Sequence, residues 1–282
     1  MSELPDAADP EACARYLREL AAAASPVLPI GDAALALAAF ERPRIAFARY
    51  RQHLAALARD VGRHAGGAAG LSDRARALNE IILLKYGYSG DELTYDDLQN
   101  ANLMRVVDRR KGLPVALGIL YLHAARAQGW DSVGLAFPGH FLIRLSDGPE
   151  RLILDPFHAG KACDAAMLRD LLKAMAGQAI ELSPEHYAPV GDRDVLLRLQ
   201  NNLKSRLLQM GRHERALRAL ETMLLLAPDL AELWQETALL QGQTGNLRAA
   251  VHSFEQFIRL APDGTARHQA AVLLQQLKAR LN

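Results

Sequence analysis

The chain has 282 residues, half of them apolar and 23% charged, with a formal net charge of +1. That composition requires a packed core in one large or two ordinary domains, and it excludes a binder held to nucleic acid by wholesale phosphate neutralisation. The two cysteines, Cys13 and Cys163, are too few for a disulfide framework and stand in no metal-ligand spacing, so a reducing, cytoplasmic setting is expected.

The first segment, "MSELPDAADPEACARYLREL", is acidic and broken by prolines, unlike a secretory signal. No run of about 18 apolar residues follows, so no membrane span is expected. Asp9 caps a helix that begins at Pro10. "IGDAALALAAFE" and "PRIAFARYRQHLAALARDVGRHA" continue the helical period. After the loop "GGAAG" (66–70), "LSDRARALNEIILLKYG" predicts a helix capped by Ser72 and ending near Gly87. A polar, turn-rich segment follows, with a short helix expected around 96–107 and a solvated basic turn at "RVVDRRKG". "GLPVALGILYLHAARAQG" (112–129) is the most clearly buried helix, with Pro114 in its first turn and Gly129 at its end.

The pattern then changes to strands: "SVGLAF", "HFLIRL" and "RLILDPF". A helix followed by a small antiparallel sheet is an α+β arrangement. A hairpin turning at "SDGPE" pairs positions whose numbers sum to about 295. That register sets Phe141 against Leu154, Leu142 against Ile153, Ile143 against Leu152, and His140 against Asp155. Opposed side chains lie about 5 Å apart at the β-carbon, so an imidazole and a carboxylate meet at the hairpin mouth. There the carboxylate can fix the tautomer of His140 and stabilise its cation, as the orienting member of a catalytic triad does. His158, just beyond "DPF", can line the same cleft. No carboxylate-rich cluster argues for a metal, and neither metal nor cofactor is expected.

From about residue 190 the strands vanish and an internal repeat begins. Gly211, Ala216 and Pro228 recur 34 residues later as Gly245, Ala250 and Pro262. That period is the tetratricopeptide repeat (TPR), a helix–turn–helix unit. The glycines allow the turn, the alanines allow close helix approach, and the prolines stop the second helix. Trp234 and Phe254 occupy positions where the repeat favours aromatics, and "TARHQAAVLLQQLKARLN" reads as a capping helix. Two repeats are few for a solenoid, so they are expected to dock on the preceding domain. Asn201, Asn202, Lys204 and Arg206 on the first repeat helix are candidates for a peptide-binding surface.

"RRKGLPVALGILYLHAARAQG", then "GLAFPGHFLIRL", then "LILDPFHAGK", followed by the repeats, resembles the SirB1-type transglutaminase-like proteins. The resemblance implies a papain/transglutaminase-like core, a helix packed on a small antiparallel sheet, behind N-terminal helices and ahead of an all-α TPR-like tail. The expected division is 1–70, 71–189 and 190–282. In active relatives the helix start carries Cys and the next two strands carry His and Asp. His140 and Asp155 match the His and Asp. The nucleophile is missing: the best-matching site is Ala116, with Val115 next.

The resemblance therefore implies a non-catalytic protein that keeps the His–Asp pair and acts as an adaptor toward a protein or peptide partner, with neither nucleic acid nor membrane. The alternative is a working hydrolase or acyltransferase that uses Cys163, or a water activated by His140. A vacated active site predicts a solvent-open gap at Ala116; a structural role predicts a dry contact there.

Overall fold

A computed structural model describes residues 3–23, 25–67 and 70–281. Met1, Ser2, Ala24, Asn282, and Ala68 and Ala69 of the expected loop lie outside the described residues. The described residues form two compact units, one of residues 3–13 and 25–199, the other of 14–23 and 200–281. The boundary expected at residue 70 falls within the first unit.

Helices α1 (Pro10–Ala22), α2 (Ile30–Ala39), α3 (Ala48–Ala65) and α4 (Leu71–Asn79) come first. Asp9 accepts a hydrogen bond from the Ala12 amide at 2.8 Å, the cap expected for α1. Ser72 does not cap α4; the cap lies two residues earlier, at the extended Gly70, and the helix starts at Leu71. It continues into a π-helical turn at Glu80–Lys85.

The turn-rich segment holds a 3₁₀ turn (Leu98–Ala101) and α5 (Leu103–Arg109) in place of one short helix. Asn102 separates the two, and its side chain accepts from the Arg105 amide to cap α5. Two short parallel strands, β1 (Ser89–Gly90) and β2 (Lys111–Gly112), bridge Gly90 to Gly112 just before α6 (Pro114–Arg126).

Helix α6 is apolar on every side and buried from Pro114 to Leu122, as a helix with no solvent face must be. Helices α2 and α3 pack on it, and so does the sheet. The sheet runs β6 (Lys161–Ala162), β5 (Glu150–Asp155), β4 (Leu142–Asp147), β3 (Asp131–Leu135), β7 (Pro189–Val190), all antiparallel. Gly118 of α6 lies against the Phe141 ring and Ile143. On the opposite face, Leu135 and Leu142 pack with Leu168 and Leu172 of α7 (Ala165–Ala176).

The hairpin register differs from the expected one. Ile143 pairs with Leu154, Arg144 with Ile153 and Leu145 with Leu152, so the paired numbers sum to 297. The reason is Pro149. The expected register makes it a strand residue opposite Ser146, where its missing N–H cannot join the ladder. The observed one places Gly148 and Pro149 in a two-residue loop, with Gly148 at φ +56°. A two-residue shift keeps every side chain on its face.

Helix α8 (Asp192–Gln209) leads into α9 (His213–Leu226), α10 (Ala231–Gln243), α11 (Leu247–Leu260) and α12 (Thr265–Leu281). Gly211 and Gly245 take φ values of +67° and +81° in the turns, and Ala216 and Ala250 are fully buried. Phe254 and Phe257 pack with Ala238 and Ala270, and the Trp234 indole donates to the Pro228 carbonyl at 2.7 Å.

The Gly118 contact is testable. A β-carbon there would overlap the Phe141 ring. Gly118→Ala should destabilise the protein by about 1–3 kcal/mol despite the better helix propensity of alanine. Urea denaturation checks this, and a stabilised variant would contradict the packing.

Candidate functional site

Asp155 ends β5, and Pro156 follows it. Its side chain folds back over the next turn: Oδ1 accepts from the amides of Phe157 at 3.0 Å and His158 at 3.3 Å. This is the local hydrogen bonding that Asp favours at turns. The carboxylate also meets two imidazoles. His140 Nε2 lies 2.9 Å from Oδ1, and His158 Nδ1 lies 2.7 Å from Oδ2. An ionised carboxylate only accepts, so both ring nitrogens are donors. When neutral, His140 therefore carries its lone pair on Nδ1. The two rings stack at 5.5 Å between centroids.

Asp155 and His140 are buried, whereas the His158 side chain is 48% exposed. Burial works against the charge on Asp155, but the hydrogen bond and charge of His140, followed by those of His158, hold its pKa below the usual carboxylate range. The pair meets diagonally across the hairpin, since the observed register does not set His140 opposite Asp155.

Two loops carry this pair, and each is clamped from outside. In "FPGH", Gly139 takes φ +69°, and Arg198 of α8 donates to the carbonyls of Phe137 at 2.9 Å and His140 at 2.6 Å. The same guanidinium lies over the Phe141 ring, 5.7 Å from its centroid. Beyond Asp155, Gly160 takes φ +62°, and a β-carbon there would lie 2.6 Å from the Tyr121 hydroxyl. Asn79 donates to the Gly160 carbonyl at 3.0 Å and accepts from the Tyr121 hydroxyl at 2.9 Å. Burial, then the charge of Asp155, pushes the Tyr121 pKa up, so the hydroxyl keeps its proton to donate. Phe157 packs on Gly90, whose added β-carbon would fall 2.7 Å from its ring, and Tyr95 meets the Phe157 ring edge-on.

The approach from α6 is equally fixed. The Leu113 amide donates to the Asn100 carbonyl at 3.1 Å, just before the helix starts. Asn100 and Asp91 are both held by Arg109. Burial opposes the Asp91 charge, but hydrogen bonds from Thr94, Asn100 and Arg109 bring its pKa down to about 2.

Ala116 does not open onto a gap. It is fully buried, and a β-carbon at Gly112 would lie 3.5 Å from its methyl group. Gly118 touches Phe141, the neighbour of His140. Ala116 stands about 200° round the helix from Gly118, so it faces away from that contact. The first-turn residues on the Gly118 stripe are Pro114 and Val115, four and three positions earlier.

Of the other candidates, His158 joins the site. Cys163 lies outside the hydrogen-bonded group, its thiol 3.6 Å from the Lys161 carbonyl. Lys204 is buried and paired with Glu236, and Arg206 is buried and bonded to the Asn202 carbonyl and side chain. Asn201 is exposed. Arg198, Tyr121 and Asn79 were not legible as site residues. Their roles arise from contacts 42 to 81 positions away in the chain.

The donor atoms of His140, Asp155 and His158 all lie within 4.8 Å of one another, near enough to share one ion. The hydrogen bonds already described satisfy the same atoms without one.

A test follows from the depressed Asp155 pKa. Its contribution to stability is complete above the unfolded value, about 3.9, and disappears as pH falls through the lower folded value. Asp155→Asn should cost about 2 kcal/mol at neutral pH and show a shallower loss of stability below pH about 4 than the wild type. Urea denaturation across that range checks both parts.

Residues 48–201 match the family model of the transglutaminase-like superfamily, and residues 203–275 match that of the tetratricopeptide repeat. A UPF0162 protein of Xylella fastidiosa (strain Temecula1) is 33% identical over 193 residues, spanning 66% of this chain and 67% of its own. One from Vibrio cholerae is 31% identical over 194 residues, spanning 68% and 72%. One from Pseudomonas aeruginosa is 28% identical over 234 residues, spanning 83% and 85%. A hydrogen-bonded His–Asp couple at a hairpin mouth, beside a buried helix and ahead of paired helices, fits those matches, and the chain belongs to the transglutaminase-like superfamily, among the UPF0162 proteins, with tetratricopeptide repeats behind that domain.

Proposed function

We propose that this chain is a non-catalytic transglutaminase-like protein that serves as a protein-binding adaptor. One observation carries the reading. The buried His140–Asp155 couple is complete, yet the start of α6, Leu113 to Leu117, offers no Cys, Ser or Thr. We place the lost nucleophile position in the first turn of α6, where the candidate sites Ala116 and Val115, and their neighbours Pro114 and Leu117, are all without a nucleophilic side chain. A methyl or other alkyl side chain has no group that can attack an acyl carbon.

The available thiols support the same reading. Burial, then the charge of Asp155, pushes the Cys163 pKa up to about 11. Burial, then Asp9, pushes Cys13 up to about 12. A catalytic thiol needs the opposite shift. The tetratricopeptide repeats favour a protein partner, since such arrays present extended surfaces to peptides. No described helix is long and apolar enough to cross a membrane, and a cytoplasmic setting completes the proposal.

Two measurements test it. With iodoacetamide near neutral pH, Cys163 and Cys13 should each react no faster than a free thiol, and His140→Ala should leave both rates unchanged. Rapid labelling of Cys163 that His140→Ala abolishes would restore the enzyme reading. For the adaptor role, charge should be placed on the tail of the full chain at Leu230, Leu239 and Leu273, which are 40%, 44% and 38% exposed. Substituting Glu at all of them should reduce recovery of specific partners about tenfold or more in quantitative pull-downs. Undiminished recovery would count against the tail as the binding surface.

A further inference from the structure

The face of the sheet that carries α7 holds a cavity of about 630 Å³. That volume is typical of small-molecule sites. Most of its wall is apolar: Ile153 of β5, Leu168 of α7, and Leu182 and Tyr187 beyond that helix. Two guanidinium groups line it as well, Arg144 of β4 and Arg151 of β5.

The hairpin register explains why they sit together. Arg144 pairs with Ile153, and Ser146 with Arg151. Arg144 and Arg151 are therefore diagonal neighbours on one face, two like charges within reach of each other. Neither side chain forms an ion pair or a hydrogen bond among the described residues, and Nε of Arg144 is buried with no partner. Asp164 also lines the cavity, but its carboxylate caps α7 by accepting from the Met167 amide at 2.9 Å. A buried guanidinium nitrogen without a partner is costly, and a second cation beside it along an apolar cavity makes the cost larger. An anion placed between them would satisfy both.

We propose that this cavity binds a small organic anion, with its carboxylate or phosphate head between Arg144 and Arg151 and its apolar body against Ile153, Leu168, Leu182 and Tyr187. The head follows from guanidinium chemistry, which takes planar or tetrahedral oxyanions through paired N–H donors. The body follows from the wall. The site does not depend on the His–Asp couple or on the adaptor reading.

The test is calorimetric titration of the full chain with sodium octanoate and, separately, octyl phosphate. Acetate supplies the head without the tail, and 1-octanol the tail without the head. Saturable binding is expected for at least one of the anionic amphiphiles, and the tighter of the two identifies the head. Acetate and octanol should bind about tenfold more weakly or worse. The double substitution Arg144→Gln with Arg151→Gln should weaken the anion about tenfold or more, with far-UV circular dichroism confirming the fold. Cys163 lines the cavity, so the bound anion should also slow maleimide addition to that thiol. Absence of saturable binding by both amphiphiles would overturn the proposal. So would octanol binding as well as octanoate, an unchanged affinity in the double variant, or binding that leaves Cys163 unprotected.

Discussion

A buried carboxylate with four donors is the constraint around which the first unit is arranged. Asp155 receives two backbone amides and two imidazoles. Those partners hold its charge there, because burial alone favours the neutral acid. The two amides come from its own turn, so they need nothing but "DPFH". The imidazole of His140 comes from another loop, and that loop must be delivered to within a few tenths of an ångström. Arg198 does this by donating to the carbonyls of Phe137 and His140, while Asn79, with Tyr121, holds the loop beyond Asp155 at the Gly160 carbonyl. The arrangement resembles the supporting shell of an enzyme, and here it supports a couple with no nucleophile at the helix start.

Much of this was readable in the chain. The helical period of 112–129, the strand pattern after Gly129 and the 34-residue repeat follow from residue spacing, and each element is present. The polar pair at the hairpin mouth was found from "PGH" and "LDPF". The exact register was not, because "SDGPE" permits either Asp147–Gly148 or Gly148–Pro149 at the turn. The missing N–H of Pro149 decides between them only when the whole ladder is considered. The pairing of His140 with Asp155 survived that shift because long side chains reach diagonal neighbours.

The rest was hidden for a different reason. Which face of α6 meets the sheet could not be read from its sequence, since the helix is apolar all round and gives no moment to orient it. Ala116 was therefore as good a candidate as any first-turn residue. Gly118 marks the face that meets the sheet by its close approach to Phe141, a contact between elements rather than a pattern within one. Lys204 and Arg206 illustrate the same limit. Charged residues on a helix read as solvated, yet both are buried and paired.

The elevated thiol pKa values reach beyond the question of catalysis. At neutral pH a thiol with a pKa of about 11 is deprotonated in roughly one molecule in ten thousand. Peroxide attacks the thiolate, so sulfenic acid should form at Cys163 and Cys13 far more slowly than at a redox-sensing cysteine. Both sulfurs therefore stay reduced under oxidant exposure that would consume a thiol of ordinary or lowered pKa.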